Sequence, residues 1–153
     1  QLMRQVAGRA GRGDAPGVAL LQTFQPDHPV IRAILSGDEE GFWRAEAAER
    51  KAAGVPPYGR MAGIVISSPD VAAAFDLGTA LARADAPLRR IGAEVWGPAP
   101  APIARVRGRH RVRLLVKAAK AAPLQSALAQ WVAGVRPKGD IRMAIDIDPQ
   151  SFL

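Results

Sequence analysis

The 153-residue sequence contains no cysteine, which excludes disulfides and thiolate zinc sites within it. Aromatic residues make up only 5%, with a single tyrosine. No uninterrupted apolar run exceeds about five residues, residues 71–75 being one, against the roughly 18 a membrane-spanning helix needs. No basic leader with an apolar stretch opens the chain, so no export signal is expected. Acid is absent from residues 95–139. Because the chain starts at Gln1 rather than Met, it is expected to be a fragment.

What is present describes a folded chain. Hydrophobic residues at 48% and charged residues at 23% are globular values. The length suits about one domain with a substantial core. The formal charge is +7, and the excess lies in the acid-free block: Arg105, Arg107, Arg109, Arg111, Arg113, Lys117, Lys120, Arg136 and Lys138. Charge of one sign concentrated in this way presents a positive field to a polyanion, for which a phosphate backbone is the natural partner.

Two segments are expected, 1–57 and 58–153, separated by the stiff Pro56-Pro57 pair. In the first, residues 18–23 read as a short strand after the Pro16-Gly17 turn. Asp27 is expected to cap a helix ending at Gly37, and Asp38 one ending near residue 53. Phe42, Ala45, Ala48 and Ala52 mark a buried stripe on the latter.

The second segment alternates strand and helix signals. Residues 61–67 read as a strand, and Ser68 as cap of a helix starting at Pro69 and reaching residue 84. Residues 93–97 form a short strand, followed by a proline arm through Pro98, Pro100 and Pro102. Residues 111–118 are a third strand. A helix opened by Pro123 carries Leu124, Ala127, Leu128 and Trp131 on one face, and residues 141–147 complete the set. Two strand-helix-strand units in about 95 residues predict an α+β, ferredoxin-like βαββαβ domain with both helices on one face of the sheet.

That arrangement gives the bases a direction. If Val112, Leu114 and Val116 enter the core, Arg111, Arg113 and Lys117 point to the open face. Arg105, Arg107 and Arg109 continue the alternation through an arm expected to be extended, forming one row at roughly 3.3 Å per residue. Asp146 and Asp148 are expected to neutralise Arg142 or Arg113, rather than to act as a catalytic pair. Trp131 falls on an apolar helical stripe, leaving Trp96 as the tryptophan open to base stacking. His28 and His110 have no companions at metal-ligand spacing, so no metal site is assigned.

The opening Gln5-Val6-Ala7-Gly8-Arg9-Ala10-Gly11-Arg12 resembles the sixth motif of superfamily 2 helicases, in which arginines reach the phosphates of ATP held mainly by another lobe. Charge developing on a transferred phosphoryl group needs such a fixed cationic fork. Downstream, residues 17–23, His28-Pro29, Pro56-Pro57-Tyr58, Gly97-Pro98 with Pro100-Ala101, the pair Arg109 and Arg111, and Asp146-Ile147-Asp148-Pro149 occur in order. Together they resemble the PriA family of bacterial replication-restart DNA helicases, also called primosomal protein N′, over essentially the whole chain.

The resemblance implies the C-terminal part of a cytoplasmic bacterial ATP-dependent 3′→5′ DNA helicase that binds stalled or branched forks and promotes primosome assembly. It makes residues 1–57 the end of a RecA-like helicase lobe and residues 58–153 a C-terminal DNA-binding domain. Arg9 and Arg12 become arginine fingers and Gln5 a nucleotide or interlobe contact. The family's Gly-Lys-Ser/Thr loop, magnesium motif and zinc-binding cysteines are all missing from this sequence. ATP and magnesium are therefore expected only in a full-length parent, the family's zinc outside this chain, and the chain alone is expected to be inactive. The implied partners are single-stranded and forked DNA, other primosome proteins and the acidic tail of single-stranded DNA-binding protein, with no membrane. Gln125 matches a residue implicated in the tail pocket. The base expected four positions earlier is Ala121, so Lys120 would have to substitute.

Two other readings stand beside this one. The first is a basic protein-interaction module docking an acidic tail. The second is a stand-alone RNA-binding ferredoxin-like domain, disfavoured because residues 111–117 carry no aromatic on which bases could stack.

Overall fold

The computed structural model describes Gln5 and residues 18–149. These fall into two compact units, with the division between Glu49 and Arg50.

In the first unit, residues 18–23 adopt no regular structure, although a strand is expected there from the sequence. Val18 and Leu20 are 81% and 95% exposed. A strand persists only where a neighbour takes up its hydrogen-bonding groups, and none of the described strands pairs with this segment. Helix α1, Pro29–Ser36, begins with Pro29 in its first turn and stops at Gly37, whose φ of 75° provides a left-handed cap. Its N-cap is His28 rather than Asp27: the imidazole Nδ1 accepts from the Val30 N–H at 3.3 Å. Asp27 instead pairs with Arg32 at 3.2 Å.

Helix α2, Glu39–Ala53, opens beneath Asp38, whose carboxylate accepts from the Gly41 N–H at 2.8 Å. Glu39 and Glu40 sit at its positive end, with Arg50 and Lys51 in its last turn, as the helix dipole favours. The expected stripe is not buried. Phe42 is half-buried, while Ala45, Ala48 and Ala52 are exposed. Periodicity identifies an apolar face, but burial requires a second surface against it.

The second unit holds the sheet. Strand β1, Gly59–Ser68, leads to helix α3, Val71–Arg83, and then to a short helix α4, Ala86–Arg89, that periodicity does not suggest. Strands β2, Glu94–Val106, and β3, Arg109–Ala119, follow, then helix α5, Leu124–Ala133, and strand β4, Arg142–Ile147. The sheet order is β2-β3-β1-β4 and every pairing is antiparallel. That order, with α3 and α5 as the two crossovers, is the ferredoxin-like topology.

Alternation fixes the faces. Ala62, Ile64 and Ile66 of β1 and Val112, Leu114 and Val116 of β3 are buried against Ala74, Leu77 and Leu81 of α3 and Leu124, Leu128 and Trp131 of α5. The buried Trp131 indole donates to the Leu81 carbonyl at 2.9 Å, joining the two helices. Helix α3 is capped by Asp70, which accepts from the Ala72 N–H at 2.8 Å. Ser68, the expected cap, lies one step back and accepts from the Asp70 N–H at 3.1 Å. An Asx cap excludes Pro69 from the helix, because its own residue must stay extended.

The proline arm is not a separate loop. It is the continuation of β2, paired to β3 with register shifts between Trp96 and Ala99 and between Pro100 and Arg105. Prolines withhold N–H donors, and an edge strand tolerates this at irregular positions.

Candidate nucleic-acid interface

Strands β2 and β3 meet in a tight hairpin, with Val106 opposite Arg109 and Arg105 opposite His110. The two loop residues, Arg107 and Gly108, have φ of 48° and 77°. Positive φ at both central positions is what a two-residue turn requires to match strand twist. The extended row of arginines expected from the sequence therefore does not form. The chain reverses at Arg107, so Arg105 lies on one strand and Arg109, Arg111 and Arg113 on the other.

The residues of β3 that alternate with the buried ones, Arg111, Arg113, Leu115 and Lys117, point away from the helices. Register extends this open face sideways. Arg111 lies opposite Ser67 of β1, and Ser67 in turn lies opposite Arg142 of β4. With neighbouring strands about 4.8 Å apart, Arg111 and Arg142 flank Ser67 at backbone positions about 10 Å apart. Here the surface is concave: a hollow of about 430 Å³ is lined by Arg107, Arg109, Arg111 and Arg142 with Val65 and Ser67 among its other walls.

The arginines differ in how they are held. Arg105 and Arg107 are exposed. Arg111 is half-buried, with Nη1 3.4 Å from the Ile103 carbonyl. Arg113 is half-buried and has a partner within the chain. Arg109 is the most constrained, with a side chain only 16% exposed. It donates to the Asp140 carboxylate at 2.7 Å and to the Ser67 and Asp140 carbonyls at 2.8 Å each. Its hydrogen bond holds the Asp140 carboxyl below its ordinary value, with partly opposing burial and further Coulombic help from Arg109 and Arg142. Arg142 lies 3.8 Å from the same carboxylate, but both side chains are largely exposed and the contact is weak.

Farther along the open face the charges are mixed. Lys117 pairs with Glu94 at 3.6 Å, and its ammonium lies 5.5 Å from the centroid of the Trp96 ring. Trp96 lies opposite Leu115 and so shares this face. Asp148 does not neutralise Arg142 or Arg113 as expected. It curls back at φ 51° to bind Arg60 at 3.0 Å and the Met61 N–H at 2.9 Å, closing the end of β4 onto β1.

Arg9 and Arg12 lie outside the described residues. Gln5 is helical and exposed, beside a groove with Val30, Ile34, Phe42 and Trp43. Lys120 and Gln125 are both exposed where β3 turns into α5. Among the described residues no group of three or more His, Asp or Glu could hold a metal ion, and no helix is long and apolar enough to cross a membrane. Arg142 is a member of the hollow that the sequence does not reveal. Alternation within β4 assigns it to the outer face, but only the β1–β4 register sets it beside Arg111.

Residues 51–150 match the family described as the primosomal protein N C-terminal domain. The chain is 35% identical over 152 residues, 99% of its length, to a replication restart protein PriA of Rickettsia felis, and 32% identical over 153 residues to that of Haemophilus influenzae. A third relative of the same name, from Bacillus subtilis, is 30% identical over 156 residues. The chain spans 23%, 21% and 19% of these relatives' own lengths. The sheet, both crossover helices and the arginine-lined hollow all fall within the matched region, and the chain belongs to the primosomal protein N C-terminal domain family.

Proposed function

We propose that this chain is the C-terminal part of an ATP-dependent 3′→5′ replication-restart helicase of the bacterial cytoplasm. In this reading it binds single-stranded and forked DNA through the hairpin end of its open sheet face and takes part in primosome assembly. The observation that carries the proposal is the convergence of Arg107, Arg111 and Arg142, from two distant segments, on one concave surface. Guanidinium groups in a hollow match phosphate oxygens in charge and in hydrogen-bonding geometry. Arg105 borders the hairpin, and Arg113 and Lys117 continue the basic face along β3. Residues 1–57 are the end of the helicase lobe and 58–153 the DNA-binding domain. In the parent, Arg9 and Arg12 contact the phosphates of magnesium-bound ATP beside Gln5, and the chain alone does not hydrolyse ATP.

The test is binding to fluorescent single-stranded and forked DNA across a salt series, with an R107A/R111A/R142A variant alongside. Three or four phosphate contacts give a log K against log salt slope of about −2 to −3 for single strands. The variant is expected to lose most of that slope. Absence of salt-dependent binding at micromolar protein would overturn the reading.

A second reading rests on Lys120, exposed in the turn after β3, and Gln125, exposed in the first turn of α5. There the acidic tail of single-stranded DNA-binding protein would dock. Loss of binding of a tail peptide in a K120E variant, with DNA binding intact, is its signature.

A further inference from the structure

We infer that Trp96 and Lys117 form a base-stacking subsite for single-stranded nucleic acid on the open sheet face, separate from the arginine-lined hollow. The inference rests on the DNA-binding reading above and adds a contact to the bases, which the arginines do not supply.

Trp96 is 43% exposed and lies on the face of β2 that points away from the helices, while its neighbour Val95 packs against the core from the other side. The remaining tryptophans differ. Trp131 is buried, and Trp43 belongs to the first unit, where it meets Phe42 edge-on at 5.2 Å. A large exposed indole on an open sheet has a π-face that any base can cover. The Lys117 ammonium lies over one face of the ring, 5.5 Å from its centroid and 3.6 Å from Glu94, so a base stacks on the other face with this cation close enough to take its phosphate. The pair with Glu94 is partly exposed and weak enough to exchange for a phosphate.

Backbone geometry holds the indole in place. Gly97 follows at φ 105°, and a Cβ there would approach the Arg113 carbonyl oxygen to 2.7 Å, so β2 is pressed onto β3 at this point. From the rank of Trp96 and Leu115 to that of Arg111 is four residues, about 13 Å of strand. That is room for a short run of nucleotides between the stacked base and the hollow.

The experiment uses the 153-residue chain carrying W43F, so that emission comes from Trp96 and the buried Trp131. Oligo(dT) and an abasic strand of equal length are titrated. Oligo(dT) is expected to quench the emission and the abasic strand to leave it unchanged. W96L, which keeps an apolar side chain, is expected to weaken oligo(dT) binding roughly five- to thirtyfold at an unaltered salt slope, and W96F to restore most of it. If the two strands bind alike and W96L matches its parent while the salt slope persists, the stacking subsite is wrong and the arginine reading survives. If no strand shows salt-dependent binding, both fall.

Discussion

The Arg109 guanidinium holds the Asp140 carboxylate at 2.7 Å and the Ser67 carbonyl at 2.8 Å, tying the start of β3 both to β1 and to the segment that leads into β4. An arginine in the middle of a basic run is thus largely committed to structure. R109A is expected to destabilise the domain by about 2 kcal/mol, since it removes a charged hydrogen bond to the part-buried Ser67 carbonyl together with those to the exposed Asp140. R109K does not rescue it, because an ammonium cannot span the same acceptors. Urea unfolding midpoints check both variants.

The Asp140 carboxyl gives that tie a pH dependence. Its pKa in the folded protein is lowered, chiefly by the Arg109 hydrogen bond, below an ordinary value of 3.8. A carboxylate shifted down stabilises the fold above its unfolded-state pKa and loses that contribution as pH falls through the folded-state value. The gap in unfolding midpoint between the parent and D140N is expected to stay constant from about pH 5 to 8 and to close in acid below the ordinary carboxylate range.

Arg107 occupies a backbone conformation that suits Asn or Gly better, with φ 48°. R107N is expected to raise stability by about 0.5 to 1 kcal/mol by relieving that cost. The same change removes a cation from the hollow and flattens the salt slope by about 0.7, the share of a single phosphate on a single strand. Opposite movement of thermal stability and DNA affinity is the outcome to look for. Strain retained at a residue that binding uses is a common arrangement.

What could be read from the sequence followed local periodicity. The stripe of Leu124, Ala127, Leu128 and Trp131 is buried as expected, and Val112, Leu114 and Val116 face the core while Arg111 and Lys117 do not. These depend on neighbours within a few residues. Arg109 illustrates the limit, since its carboxylate partner lies 31 positions away and no spacing rule connects them. The hairpin is hard to foresee because Arg107-Gly108 lacks the usual Asn at its first position, and because three prolines make β2 look like an arm. Arg142 joins the hollow through pairing register, which cannot be read from one strand by itself.

The central position of β1 has a consequence for how the arginine-lined hollow comes into being. Arg111 and Arg142 are neighbours only because β1 accepts β3 on one edge and β4 on the other. In chain order β4 is the last of the four strands to leave the ribosome, and a slip of one residue as it docks would turn Arg142 towards the helices. A nascent or misregistered domain would carry nearly all its positive charge and still present no complete hollow, so if the hollow holds DNA as proposed, that grip would also inspect finished folding.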